Sequence, residues 1–249
     1  MTRVDTAVIL AAGMGTRLKG YTKERPKGFL EIDGDTLIER SIKHLLDNGI
    51  SRIIIGTGYF HEHFDDLKKK FPGITTLRNV EFATTGSMFT LYVVRNLIDG
   101  PFLLLESDLL YDPAALTYLL SDSKEDIVLA SDATHSGDEV FIQHSSSGFL
   151  QNMSKNRALL SHIDGELVGI SKISLALLNK MVSFASGHYA NGNTLMHYED
   201  ALVGSSVDHD IFIKVVKGLA WCEIDDESHL QRALDLVYPR ILQRTAAKR

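Results

Sequence analysis

The sequence predicts an α/β chain: a mixed, mostly parallel sheet with helices on both faces, and a smaller subdomain in the second half. Three observations predict it. Near-continuous apolar runs alternate with amphipathic stretches as far as residue 131, as strands buried on both faces of a parallel sheet do. After about residue 132 the strand-like segments mix polar and apolar residues, the pattern of half-exposed antiparallel strands. The chain has 249 residues, enough to bury a sizeable core, and carries neither a low-complexity linker nor an internal repeat.

The elements follow in order. TAVIL (6–10) reads as the first strand, and a helix follows over 35–48, where Ile38, Ile42, Leu45 and Leu46 share one face. Strands are expected at 52–58, 74–80, 102–107 and 126–131, with helices at 61–71, 87–97 and 113–121 between them. Lys68 to Lys70 end the second helix and complement its dipole. His61 and His63 start that helix, where residues two apart diverge, so they read as surface or packing residues and not as metal ligands. DEVFIQHS (138–145), GFLQNMS (148–154) and ELVGISKIS (166–174) read as the antiparallel strands. A helix over 174–186 presents Leu175, Leu178 and Met181 to the core, and another lies near 198–205. DIFIKVVK (210–217) and WCEIDD (221–226) are strands again, and helices close the chain from 227 onward.

Composition excludes several classes. The net charge of −6 carries no basic footprint for nucleic acid. The single cysteine, Cys222, precludes an internal disulfide and fits a reducing compartment. The apolar run Ala7–Ala12 is too short for a signal peptide and follows Asp5; no other segment approaches membrane-spanning length. A soluble, cytoplasmic protein that neither binds nucleic acid nor inserts into membranes is expected.

The chemistry concentrates behind the first strand, at the carboxyl edge of the sheet where open α/β proteins bind ligands. In VILAAGMGTRLKGYTKERPKGFLEIDG (8–34), Gly13 and Gly15 let the backbone approach a phosphate and turn its N–H groups toward it. Arg17 can grip phosphate oxygens bidentately, and Lys27 supplies a compact cation. Neither G-x-x-x-x-G-K-[ST] nor G-x-G-x-x-G is present.

LAAGMGTRL followed by PKGFLEIDG resembles the two-part signature of nucleotidyltransferases that activate a phosphorylated acceptor with an NTP. NVEFATTGSMFTL, LLLESDLLYD, MSKNR, YEDAL and WCEIDDESHL extend the likeness, in order, to small cytidylyltransferases that handle zwitterionic groups. The resemblance implies a Rossmann-like, GT-A-like fold with CTP as substrate and Mg²⁺ as cofactor. It implies a nucleotide-binding core of 1–132 with 211–249 and an acceptor-binding subdomain of 133–210. It places the triphosphate on Gly13, Gly15, Thr16 and Arg17, with Lys27 after Pro26 on the α-phosphate, and makes Leu10, Ala11 and Ala12 nucleotide-binding as well. Thr84, Thr85, Gly86 and Ser87 become candidates for reading the base, although Ser87 reads equally well as a helix N-cap.

Alternation puts Glu106 and Asp108 on one side of a strand end, and Glu223 and Asp225 on one side of another. Asp108, Asp225 and Glu223 are the metal candidates, Glu106 reads as structural, and Asp226 as a helix cap. With Arg17, Lys27 and Asp108 as catalytic residues, the reaction needs positioning and charge neutralisation, not a strong base. For the acceptor, Lys155 matches the family's anion contact, and Asp138, Tyr198, Glu199 and Trp221 are candidates for an ammonium end. Few aromatics and many acids lean toward 2-aminoethylphosphonate; phosphocholine, a sugar 1-phosphate or a non-catalytic nucleotide sensor are the alternatives.

Overall fold

The computed structural model describes residues 3–18 and 20–247. The first strand, β1 (Thr6–Ala11), is buried at every position. The short pair β2 (Glu31–Ile32) and β3 (Asp35–Thr36) precedes α1 (Leu37–Asp47). Alternation continues through β4 (Arg52–Thr57), α2 (His61–Lys70), β5 (Ile74–Arg78), α3 (Ser87–Val94), β6 (Phe102–Glu106), β7 (Leu109–Tyr111), α4 (Ala114–Leu120) and β8 (Ile127–Ser131). Then come β9 (Phe141–His144), β10 (Leu150–Ser154), β11 (Gly165–Ile173), α5 (Leu175–Ala190), α6 (Tyr198–Ser205), β12 (Phe212–Val216) and β13 (Trp221–Glu223). Helices α7 (Glu227–Arg232) and α8 (Tyr238–Ala247) flank a π-helical turn over Ala233–Val237.

In the main sheet β6, β1, β4 and β5 lie side by side and parallel. β11 joins β6 antiparallel and leads on to β9 and β10, while β8 pairs with β11 and, in parallel, with β12. The period of two along β1 divides the core. Ala7, Ile9 and Ala11 face Ile38, Ile42, Phe64 and Leu116 of α1, α2 and α4, whereas Val8 and Leu10 face Met88, Leu91, Leu177 and Leu202 of α3, α5 and α6. A third cluster seats α7 and α8, with Leu230 and Ile241, against Leu18, Leu110 and Cys222. No helix among the described residues is long and apolar enough to cross a membrane.

Several boundaries shift from the sequence reading, for local reasons. α1 starts at Leu37 because Thr36 accepts from the Glu39 N–H at 3.2 Å and Glu39 reaches back to Thr36, a capping box. α5 runs on to Ala190 and stops where Asn191 and the left-handed Gly192 (φ +80°) break it. The closing helices begin at Glu227 as expected, behind Asp226, which accepts from the His229 N–H at 2.9 Å; residues 248 and 249 of the expected span lie outside the described ones. His61 pairs with Asp65, and His63 meets the Glu24 carbonyl oxygen. Lys68, Lys69 and Lys70 form surface ion pairs with Asp65, Asp66 and Glu39. Leu178 and Met181 are buried, and Leu175 packs against the same core.

Candidate active site

The carboxyl ends of β1 and β6 open into a cavity of about 600 Å³. Its rim begins with Leu10, Ala11, Ala12 and Gly13; a Cβ on Gly13 would meet no protein atom within 4 Å, so this backbone is open to a ligand. Gly15 and Thr16 do not reach the cavity wall. Gly15 is needed for another reason: its φ is +61°, and a Cβ there would lie 2.6 Å from Lys27 Cγ. The turn after β1 thus makes room for the side chain of Lys27, which Pro26 delivers at the start of a one-turn 3₁₀ helix.

Lys27 and Arg17 meet the acids directly. Lys27 Nζ lies 2.6 Å from Asp108 Oδ2 and also pairs with Asp225 Oδ1. Arg17 bonds Asp225 Oδ2 at 2.7 Å and Asp138 Oδ2 at 2.8 Å, and Lys155 takes the other Asp138 oxygen at 2.6 Å. Burial opposes both charges of the central pair. The Asp108 and Asp225 carboxylates nevertheless raise the Lys27 ammonium above its ordinary value, and Lys27 and Arg17 hold the Asp225 carboxyl below its own.

β7 is a strand the sequence reading missed, and it assembles the acids. It pairs antiparallel with β13, setting Glu223 opposite Leu109, and the Ile224 N–H donates to the Asp108 carbonyl at 3.1 Å. Glu106, Asp108 and Glu223 each present a carboxylate oxygen within 4.8 Å of the others. Glu106 therefore belongs to the acid cluster, whereas the sequence reading made it structural; Asp225 stands beside the cluster on Lys27. Burial, then Glu199 and Asp108, push the Glu106 carboxyl up to about 8. Burial, then Glu106 and Asp108, push Glu223 up to about 10.

Gly169 gives Glu106 its space. It sits at φ +80° where the register of β11 slips between Leu167 and Ser171, and a Cβ would meet Glu106 Oε2 at 3.0 Å.

The expected base-reading turn lines the cavity through Thr85, Gly86 and Ser87, but Thr84 does not and folds back on Glu81. Ser87 is not the N-cap of α3; Gly86 is, and Ser87 is the first helical residue. Its hydroxyl is taken by another element, accepting from the Tyr198 N–H at 3.0 Å. Tyr198 in turn donates its phenol to Glu106 Oε1 at 2.6 Å. Glu199 lines the same recess; its Oε2 is buried and has no partner among the described residues, and burial raises its carboxyl. Trp221 forms part of the wall, its indole N–H donating to Ser131 Oγ at 2.8 Å. Phe82 and His229, both inside quoted motifs but not singled out there, also line the cavity, as do Thr134, Glu166, His197 and Arg232.

A profile of the MobA-like NTP transferase domain matches residues 7–169. The choline-phosphate cytidylyltransferase of Streptococcus pneumoniae is 31% identical over 88% of this chain and 92% of its own. The 2-aminoethylphosphonate cytidylyltransferase of Lancefieldella rimae is 25% identical over 95% of this chain and 94% of its own. Among solved structures, the CTP:phosphocholine cytidylyltransferase from S. pneumoniae superposes with a TM-score of 0.78 at 25% identity, covering 94% of this chain and 99% of that one. The inositol-1-phosphate CTP transferase of T. maritima shares the fold, with a TM-score of 0.79 at 18% identity over 96% of this chain and 97% of that one.

Proposed function

Because the chain belongs to the MobA-like NTP transferase domain family, we propose that it transfers CMP from CTP to 2-aminoethylphosphonate and releases pyrophosphate. It is a nucleotidyltransferase of the cytidylyl-transferring kind. The identity of the acceptor is the proposal.

One observation carries the acceptor reading. Glu106 and Glu199 lie in one buried recess with Tyr198, and the Glu199 Oε2 is left without a partner among the described residues. Two carboxyls lining one recess, both raised by burial, call for a cation. A primary ammonium has three N–H donors to give to such oxygens, whereas a quaternary ammonium has none and prefers aromatic faces. Lys155, an exposed cation lining the same cavity, suits the phosphonate end. Phosphocholine is the second reading, favoured by the 31% identity to the streptococcal enzyme and by Trp221 and Tyr198 in the wall.

In this reading a phosphonate oxygen, already ionised at neutral pH, attacks the α-phosphorus of CTP. One P–O bond forms, the bond to the β-phosphate oxygen breaks, and its electron pair leaves with pyrophosphate; no proton needs to move. Lys27 steadies charge growing on the α-phosphate, Arg17 holds the departing pyrophosphate, and Gly13 offers its exposed backbone to the phosphates. Both cations must exchange an aspartate for substrate oxygen. Glu106, Asp108 and Glu223, with Asp225 beside them, suit Mg²⁺: all are hard oxygen donors, and the first three crowd within 4.8 Å. Bound there, Mg²⁺ would neutralise phosphate charge.

The test is pyrophosphate release with Mg²⁺, crossing CTP, UTP, ATP and dTTP with 2-aminoethylphosphonate, phosphocholine and glucose 1-phosphate. Turnover confined to CTP with aminoethylphosphonate is expected. Faster turnover with phosphocholine would replace the acceptor and keep the chemistry.

A further inference from the structure

The loop over 132–140, between β8 and β9, carries Asp138 to the junction of the nucleotide and acceptor regions and is fastened on both sides of it. Asp132 accepts from the Gly218 N–H at 2.6 Å, and the Val140 carbonyl accepts from the Leu167 N–H at 2.9 Å. Between them, Glu166 of β11 accepts from the Thr134 N–H through Oε2 at 2.6 Å and from the Thr134 hydroxyl through Oε1 at 2.8 Å. Arg232 of α7 donates to the Thr134 carbonyl at 3.2 Å.

His229 reaches a carbonyl two residues further on. Its Nδ1 accepts from the Asp225 N–H at 3.4 Å, which leaves the proton on Nε2, facing the Ser136 carbonyl at 3.2 Å. One buried imidazole thus ties the acid-bearing turn after β13 to this loop. Glu166 is only 2% exposed and His229 only 5%, so neither is a surface contact free to drift.

We propose that Glu166 and His229 are positioning residues for nucleotidyl transfer: they clamp the loop so that Asp138 holds Arg17 and Lys155 at fixed places across the two subsites. The inference rests on the functional reading above in taking Lys155 as the acceptor's anion contact. Arg17 and Lys155 are both more than half exposed, 53% and 57%, and long side chains of this kind sample many rotamers. Fixing one lowers an equilibrium constant by more than about tenfold. Asp138 meets part of that cost before substrate arrives, using one oxygen per cation and leaving the remaining N–H groups for phosphate oxygens. Asp138 does so only if its backbone stays where Glu166 and His229 put it.

A double-mutant cycle tests this, with whichever of aminoethylphosphonate or phosphocholine the wild type turns over. Glu166→Ala is expected to raise the acceptor KM about tenfold with kcat changed less than about threefold. Glu166→Gln, which keeps an oxygen for the Thr134 N–H, restores most of it. In the Asp138→Asn background, Glu166→Ala adds nothing further. Thr134→Val, which deletes one donor to Glu166, serves if Glu166→Ala does not fold. Additive effects of Glu166→Ala and Asp138→Asn overturn the proposal, as does a loss of thermal stability with unchanged KM. If the wild type turns over neither acceptor, the functional reading fails, and the same cycle is read on CTP affinity by calorimetry. Glu166→Ala should then weaken CTP binding through Arg17, non-additively with Asp138→Asn; unchanged affinity overturns the clamp independently of the acceptor.

Discussion

Lys27 sits at the balance point of the charges in the cavity. Its ammonium lies between Asp108 and Asp225, and only 15% of its side chain is exposed. Substituting Met keeps the stem volume but leaves Asp108 without its cation and Asp225 with Arg17 alone. Lys27→Met is expected to lower kcat by about 10²–10³, the size of one lost electrostatic stabiliser, and to lower the melting temperature because Asp108 is left uncompensated. Pyrophosphate release and a thermal melt measure the two effects, and near-normal turnover from folded protein would remove Lys27 from the reaction. The residue types of this site were legible in the sequence: Arg17, Lys27, Asp108 and Asp225 stand in motifs and at strand ends. Glu106 was read as structural because nothing in FLLLESD reveals that Gly169 and Tyr198, more than sixty positions downstream, make a socket for it.

At the scale of elements, legibility followed periodicity. β1, β4, β6 and β8 are continuous apolar runs, and Thr36 with Glu39 marks the start of α1. β7 escaped because three residues carry no period, and its partner β13 lies more than a hundred positions away. Yet this ribbon brings Glu223 beside Asp108. The slip in β11 was also invisible, since VGI inside a strand pattern could be a bulge or an ordinary weak point. Gly169→Ala exposes what the slip does. The new Cβ would meet Glu106 Oε2 at 3.0 Å, and alanine must adopt φ +80°. A stability loss of about 1–3 kcal/mol is expected from the backbone conformation. Glu106 must also move, so the acceptor KM should rise more than that of CTP. Denaturant melts and steady-state kinetics read the two separately. A variant with the stability loss and unchanged acceptor KM would leave Glu106 without a part in acceptor binding.

Across the whole molecule, the acids gathered at the sheet edge make stability depend on pH and on cations. A carboxyl raised in the folded state keeps its proton there while the unfolded chain has lost its own. The folded state then binds more protons, and stability falls as pH climbs from the ordinary carboxyl value toward the raised one. Glu106, raised from 4.5 to about 8, and Glu223, raised from 4.5 to about 10, both act in this direction. Asp225, lowered by Lys27, contributes stability already fully present above its ordinary 3.8; Lys27, raised by its acids, keeps its contribution until above 10.5. Neither changes near neutrality. His44, lowered from 6.5 by burial, stops contributing to the slope once the unfolded chain has deprotonated. Metal-free protein should therefore melt at a lower temperature at about pH 8.5 than at about pH 7. Mg²⁺ supplies the charge that the protons supplied, so it should raise the melting temperature more at the higher pH. Glu106→Gln removes one of the two titrations and should flatten the metal-free dependence. Equal Mg²⁺ shifts at both pH values, or a slope that Glu106→Gln leaves untouched, would mean that the cluster holds its acids ionised without help from any cation.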